Sequence, residues 1–270
     1  MFIADFISVS YNHQINFIKN KVKLMGKIKT IPELDKIVGG FFEGELVTII
    51  GDAGDGKTTF AIAIANSIIH RNKNVLIVSL EATEEHIMEM INRANGVKSK
   101  EEVLKFYNKS DLGNLIVKKI NPDSKFFDDF DKFIKHLTSK SEIDAIFIDT
   151  VGIVPIDAKI CIIKLREITD KYQVSLFNII QGRQRNYNKP VDCKEDIPQT
   201  TSIVAISDKV IGIRRDWDEK KENFFQKLFR IIFFKKRKPN FFLNVLKNRS
   251  DKERSGSGYF DFKNVKLKIY

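Results

Sequence analysis

The chain has 270 residues, of which 43% are hydrophobic, enough for a core in one large or two small domains. The 46 lysines and arginines outnumber the 35 aspartates and glutamates, and the net charge of +11 indicates a polyanionic partner, although a lysine-rich coding bias gives the same balance. The composition excludes a disordered chain, and no uninterrupted apolar run approaches the ~18 residues of a membrane span.

The two cysteines, Cys161 and Cys193, are far apart and lack metal-ligand spacing. This pattern excludes a zinc or redox motif and favours a reducing compartment. The N-terminal residues include Asp5 but no basic region, so no secretory signal is predicted. We therefore expect a cytoplasmic protein (host cytoplasm if the chain is viral) with no stable membrane association.

Residues 1–29 are too apolar for a solvated tail and too irregular for a confident helix. Two contacts remain open for this segment, the chain's own domain or a neighbouring subunit. We predict a linker or interface segment at residues 1–29 and one domain at residues 30–270.

Residues 51–58 read G-x-x-x-x-G-K-T between an apolar run at 46–50 and a helical pattern at 59–69. In this setting the backbone N–H groups and the helix N-terminus form a cradle for phosphate oxygens, Lys57 lies against the β- and γ-phosphates, and the Thr58 hydroxyl coordinates Mg²⁺. Asp55 is an acid inside an anion-binding loop, and we expect its side chain to point outward. The predicted ligand is ATP or another NTP with Mg²⁺, held by Gly51, Asp52, Ala53, Gly54, Asp55, Gly56, Lys57, Thr58 and Thr59.

Strand and helix patterns alternate along the rest of the chain. This alternation predicts an α/β fold with a mostly parallel sheet flanked by helices. A phenylalanine-rich stripe with helical period at 126–137 is expected to be core rather than a base-stacking surface. Strands are expected at 75–80, 115–120, 143–150, 174–180 and 208–214. One helix is expected to begin near residue 83, and others are expected at 101–109, 124–137 and 158–172. An antiparallel C-terminal extension is expected at 240–246, 259–262 and 265–270.

Polar residues end several of these strands, where parallel sheets bind ligands. Asp149 is predicted to be the second Mg²⁺ residue opposite Thr58, the alternative being an ordinary satisfied aspartate. Gln181 can hydrogen-bond a γ-phosphate and is a candidate sensor. The loop that follows carries Arg183, Arg185 and Lys189, which can track a phosphate backbone, although a solvated loop would have the same composition.

The basic, phenylalanine-rich segment at 224–238 has no single interpretation. A membrane-surface segment, an extended hairpin and a subunit contact all fit its composition.

The order of these motifs resembles a RecA-type ATPase core, and more narrowly the helicase domain of ring-shaped replicative helicases such as DnaB, the phage helicase-primases and Twinkle. The resemblance rests on Phe42-x-Gly44-Glu45-Leu46, the P-loop, Ser79-Leu80-Glu81, the strand ends at Asp149, Gln181 and Arg214, and Lys247-x-Arg249. It covers residues 31–270.

This resemblance implies roles that the residues alone do not assign. Glu81 would activate the attacking water, a role that its position at a strand end also permits. Arg249 would be an arginine finger acting on the neighbouring subunit's nucleotide, with Lys247 assisting. The implied assembly is a homo-oligomer, a hexameric ring, that acts on single-stranded DNA with a primase or other replication proteins as partners.

One departure from the family pattern concerns coupling to DNA. A glycine-rich stretch of the family is replaced here by residues 198–208, which puts DNA coupling in more doubt than ATP binding. The expected function is a DnaB-like helicase motor. The alternatives are a non-helicase RecA-type ATPase, recombinase-like or switch-like, and an accessory subunit that binds nucleotide without unwinding.

Overall fold

The computed structural model describes residues 26–108, 111–182, 200–215, 240–252 and 254–269. The strands are β1 (Lys27–Ile28), β2 (Phe41–Phe42), β3 (Leu46–Gly51), β4 (Val75–Ser79), β5 (Leu115–Lys119), β6 (Ala145–Asp149), β7 (Ser175–Gln181), β8 (Lys209–Arg215), β9 (Phe241–Asn248), β10 (Ser255–Asp261) and β11 (Lys266–Ile269). The helices are α1 (Pro32–Val38), α2 (Lys57–Ile69), α3 (Glu84–Ala94), α4 (Lys100–Tyr107), α5 (Phe126–Thr138), α6 (Ala158–Tyr172) and α7 (Thr200–Ile206), with a 3-10 turn at Val151–Ile153.

In the described part of the chain one large sheet has the strand order β11-β10-β9-β8-β3-β7-β6-β4-β5. The strands from β8 to β5 are parallel, and β9, β10 and β11 continue the sheet in antiparallel fashion. Strands β1 and β2 form a separate antiparallel pair. The predicted parallel sheet with an antiparallel C-terminal extension is confirmed.

The central strands form because their side chains are apolar on both faces. Strands β3, β4 and β6 are buried at every residue, as expected of parallel strands covered by helices on both sides. Their neighbour β7 contributes Phe177, whose ring stacks on Phe147 of β6 at 4.4 Å. The result is a rigid platform whose carboxyl edge carries the polar residues.

Each face of the sheet has its own apolar core. One core packs α1, α2 and α3 on the sheet, and the other packs α5, α6 and α7. In α5 the side chains of Phe126, Phe130 and Ile134 are 0% exposed, so the predicted core role of this stripe is confirmed. No helix in the described ranges is both long enough and apolar enough to cross a membrane.

A buried ion pair joins the starts of β3 and β8. The Lys209 ammonium donates to Glu45 Oε1 and, at 3.1 Å, to Ser250 Oγ. Glu45 Oε2 also accepts from the Phe42 N–H at 2.9 Å. Burial raises the pKa of Glu45, against the opposing effect of Lys209. This pair lies at the amino edge of the parallel strands, away from the P-loop.

Candidate nucleotide-binding site

A crevice of about 740 Å³ opens at the carboxyl edge of the sheet. Parallel strands bring their carboxyl ends to one edge, so the residues that end β3, β4, β6 and β7 meet there. Six of the predicted nucleotide-binding residues line it: Ala53, Gly54, Gly56, Lys57, Thr58 and Thr59.

The loop between β3 and α2 has a backbone that demands glycine at Gly56. This residue has φ 83°, and a Cβ built on it would lie 2.3 Å from Cε1 of Phe262. Helix α2 begins at the next residue, so its unpaired first-turn N–H groups face the crevice. A helix N-terminus with this orientation attracts phosphate oxygens.

Lys57 lies over this loop with its ammonium inside the crevice. Its Nζ donates to the carbonyl oxygen of Asp52 at 2.8 Å. Burial lowers the pKa of Lys57, while the nearby carboxylates, Asp55 foremost, act in the opposite direction. A phosphate oxygen can take the place of the carbonyl oxygen as the acceptor.

Thr58 and Asp149 meet across the crevice floor. The Thr58 hydroxyl donates to Asp149 Oδ2 at 2.7 Å, and the Thr150 hydroxyl donates to Oδ1 at 2.8 Å. A hydroxyl and a carboxylate fit Mg²⁺, which binds oxygen and takes its further ligands from water and phosphate. The described residues contain no group of three or more His, Cys, Asp or Glu that could hold a metal, so the nucleotide would have to complete such a site.

Glu81 and Gln181 stand exposed at the crevice wall. Glu81 follows β4, and its backbone carbonyl accepts from Lys119 Nζ at 2.5 Å. Gln181 ends β7 directly opposite Gly51 of β3. Both side chains line the same crevice as Lys57, which is the arrangement that a water-activating acid and a phosphate sensor require.

The expectation that the Asp55 side chain points outward is wrong. Asp55 is only 4% exposed. Its Oδ2 accepts from the Asp52 N–H at 2.8 Å and its Oδ1 from the Arg215 N–H at 3.2 Å. Burial raises the pKa of Asp55. The carboxylate avoids the phosphate cradle by turning inward, beneath the loop, rather than toward solvent.

Lys247 and Arg249 lie at the opposite edge of the sheet. Because β9 runs antiparallel to β8, its end at Asn248 pairs with Lys209, the first residue of β8. Arg249 donates to Asp208 Oδ1 at 2.8 Å and to the Ala205 carbonyl at 2.7 Å, and Lys247 donates to the same carbonyl at 2.9 Å. Neither lines the crevice of its own chain.

The candidate DNA-contacting residues Arg183, Arg185 and Lys189 lie outside the described residues, as do residues 1–25 and the segment 224–238. The described part of the chain resumes at α7, a helix that the sequence did not predict.

Arg215 and Phe262 are among the crevice residues that escaped the sequence prediction. The Arg215 guanidinium lies over the Phe262 ring, 4.2 Å from its centroid, and both line the crevice. Arg215 ends β8, so the rule that ligands bind at the carboxyl ends of parallel strands could have found it. Phe262 lies between β10 and β11, and no local signal indicates that this turn reaches the P-loop.

Comparison with known proteins adds a family to this geometry. A family model described as the KaiC ATPase matches residues 28–173, just over half of the chain. The chain belongs to this family. No curated protein sequence matches it significantly.

Solved structures agree with this KaiC-type assignment at the level of the fold. The ATPase domain of G40P superposes with a TM-score of 0.68 at 14% identity, covering 97% of both chains. A DnaB-like replicative helicase, solved in a study of its interactions with primase, gives a TM-score of 0.70 at 15% identity over 95% of this chain and 66% of that chain. The expected RecA-like ATPase fold is confirmed, and this fold supports NTP binding and hydrolysis.

Proposed function

We propose that this KaiC-type ATPase is the motor domain of a DnaB-like helicase, in which ATP hydrolysis drives movement along single-stranded DNA and separation of the duplex ahead. One observation carries the proposal. The groups for binding and cleaving a triphosphate share one sheet edge, whereas Arg249 stands at the other edge. In this proposal the two edges are complementary halves of a site that is completed between copies.

The order of the strands supports an orientation for the nucleotide. Asp149 and Gln181 end strands on one side of β3, where Glu81 follows β4, whereas Arg215 ends β8 and Phe262 follows β10 on its other side. The γ-phosphate would therefore point toward Glu81 and Gln181, and the nucleoside toward Arg215 and Phe262. Stacking on an aromatic ring or a guanidinium suits a nucleobase of any identity.

Each crevice residue has a chemical role in this proposal. Lys57 and the first turn of α2 bind the β- and γ-phosphates, and Thr58 and Asp149 hold Mg²⁺, which neutralises charge on the phosphate oxygens. Glu81 accepts a proton of the attacking water as the water oxygen bonds to the γ-phosphorus, and the bond from the γ-phosphorus to the bridging oxygen breaks so that ADP leaves. Gln181 donates to a γ-phosphate oxygen and loses this acceptor once phosphate leaves.

Arg249 would act on the nucleotide of a neighbouring copy. From the level of Lys209 to the P-loop the sheet extends roughly 15 Å, so Arg249 cannot serve its own crevice. To reach a neighbour's phosphate the guanidinium must exchange Asp208 and Ala205 for phosphate oxygens. Contacts between unlike edges of identical copies are heterologous, and such contacts form a ring when the rotation between copies closes. We propose a closed ring of six copies.

DNA contact is assigned to Arg183, Arg185 and Lys189. They follow Gln181 directly in the chain, so a change at the γ-phosphate has a short covalent route to them. Cationic side chains of this kind bind the phosphate backbone without sequence preference. The DnaB-like neighbour interacts with primase, and we propose a primase or another replication protein as a further partner of this chain.

The decisive experiment measures ATP turnover with and without single-stranded DNA, together with unwinding of a forked duplex, on protein whose assembled mass in MgATP is known. The wild type should show DNA-stimulated turnover and unwinding, and Lys57→Ala should abolish both. Lys140→Ala, at an exposed lysine beyond α5, is the matched control and should retain both activities.

Two results would reject the helicase proposal. Turnover that is unaffected by DNA and unaccompanied by unwinding would indicate a RecA-type switch ATPase. Nucleotide binding without turnover in the assembled state would indicate an accessory subunit.

A further inference from the structure

The buried carboxylate of Asp55 bridges two separate elements. One of its oxygens accepts from the backbone of Asp52 in the phosphate loop, and the other accepts from the backbone of Arg215 at the end of β8, at 2.8 and 3.2 Å. An asparagine would place a donating NH₂ group where one of the two carboxylate oxygens accepts, so in this geometry it could keep only one of these hydrogen bonds. The two converging donors therefore call for a carboxylate.

The same elements also touch through side chains on the crevice side. The Arg215 guanidinium lies 4.2 Å from the Phe262 ring centroid, and the Phe262 ring packs so closely on Gly56 that a Cβ there would clash at 2.3 Å. Since Asp55 and Gly56 are adjacent, the contacts form a closed circuit through Asp55, Arg215, Phe262 and Gly56. Asp55 does not line the crevice, but its carboxylate connects the phosphate loop to the end of β8 and so completes this circuit.

We infer that Asp55 is a positioning residue of the ATPase site: it holds the end of β8 against the phosphate loop and so fixes the Arg215–Phe262 pair at the nucleoside end of the crevice. The inference rests on the proposed orientation of the nucleotide. Asp55 touches neither phosphate nor base in this role. Its effect on affinity should therefore depend on whether the ligand carries a nucleoside.

Inorganic tripolyphosphate provides the test, because it offers the phosphate chain of ATP without the nucleoside. Calorimetric titration of MgATP and of magnesium tripolyphosphate would give, for each variant, the ratio of the two affinities. The variants are Asp55→Ala, Asp55→Asn, Arg215→Ala and the double alanine variant. Asp128→Ala, at an exposed acid on α5, is the matched control and should keep the wild-type ratio.

Stacking of a base is worth about 1–3 kcal/mol, so Arg215→Ala should lower the ratio about tenfold. Asp55→Ala should lower the ratio by a similar factor. Asp55→Asn should lower it by less, because it keeps one of the two hydrogen bonds. The double variant should lower the ratio by no more than either single variant does. Circular dichroism checks that each variant is folded, and Asp55→Asn keeps the test open if the alanine variant unfolds.

The possible results distinguish a failure of the positioning role of Asp55 from a failure of the proposed nucleotide orientation. An unchanged ratio in Arg215→Ala would reject the nucleoside orientation, and the positioning role with it. A lowered ratio in Arg215→Ala, combined with equal weakening of both ligands by Asp55→Ala and Asp55→Asn, would overturn the positioning role alone, since Asp55 would then shape only the phosphate cradle.

Discussion

The Lys57 ammonium is partly buried, and the nearby carboxylates only partly offset the effect of this burial on its pKa. Burial lowers its pKa from 10.5, and Asp55, Asp149, Asp52 and Glu81 act against this shift. A bound triphosphate adds negative charge beside the ammonium and favours the protonated form. The pKa of Lys57 should therefore be higher in the complex than in the free protein.

This difference predicts proton uptake on binding. Between these two pKa values free Lys57 is partly deprotonated and takes up a proton when ATP binds, so the affinity for ATP falls as pH rises through the pKa of the free protein. Titration calorimetry over a series of pH values, each in two buffers of different ionisation enthalpy, measures the uptake. Lys57→Met should abolish this component, and uptake that persists in Lys57→Met would contradict the prediction.

At the scale of elements, the Glu45–Lys209 pair fixes the start of β3 to the start of β8. Lys209 is 0% exposed and Glu45 6% exposed, so removing either partner leaves a buried charge unpaired. We predict that Lys209→Met and Glu45→Gln each cost about 3–5 kcal/mol of unfolding free energy. The double variant should cost much less than the sum, because no charge remains and the introduced glutamine can still accept from the Phe42 N–H.

Denaturant titrations of the four proteins form a double-mutant cycle that measures this coupling. The control is Lys132→Met, which removes an exposed pair with Asp129 at 3.5 Å and should change stability by less than about 1 kcal/mol. If the costs of the two single variants sum to the cost of the double variant within about 0.5 kcal/mol, the two groups are energetically independent, contrary to the prediction.

The elements that the sequence predicted well are those whose patterns are local. The buried runs of β3, β4 and β6, the helix α6 and the stripe of α5 are set by residues close together in the chain. Helix α7 was missed because a seven-residue segment shows too few turns to reveal a period, and its buried Ile203 packs on distant elements.

The contacts of the candidate site likewise divide into those that the sequence could predict and those that depend on distant residues. The meeting of Thr58 with Asp149 could be anticipated, because parallel strands bring their carboxyl ends to one edge. The direction of Asp55 could not, because it depends on the Arg215 N–H, 160 positions away. Phe262 likewise reaches Gly56 only because β10 and β11 pair and their turn falls beside the P-loop.

At the scale of the whole molecule, the two sheet edges predict complementation between copies. Lys57→Ala lacks a working P-loop but keeps Arg249, and Arg249→Ala has the reverse defect. Arg249→Ala should fold normally, because its ion pair is half exposed and Arg166 still pairs with Asp208 at 2.5 Å. Its turnover should nevertheless fall by about 10³-fold or more, the worth of an arginine finger in trans.

Mixing the two variants distinguishes trans from cis action. With random assembly about a quarter of the interfaces would combine an intact P-loop with an intact Arg249, so part of the turnover should return. The measurement is steady-state ATPase activity against mixing ratio, with Arg254→Ala as a control that should be active alone. Mixed rings of confirmed mass that stay inactive would exclude a finger supplied by the neighbour.

The contact of Phe262 with the P-loop has a consequence for where the ATPase unit ends. A chain cut between Arg249 and β10 would keep each of the sequence motifs of an NTPase, yet it would lose one wall of the crevice and the ring that overlies Gly56. The smallest fragment that keeps the whole crevice therefore extends beyond the sequence motifs, and a fusion or tag at the C-terminal hairpin would lie beside the crevice.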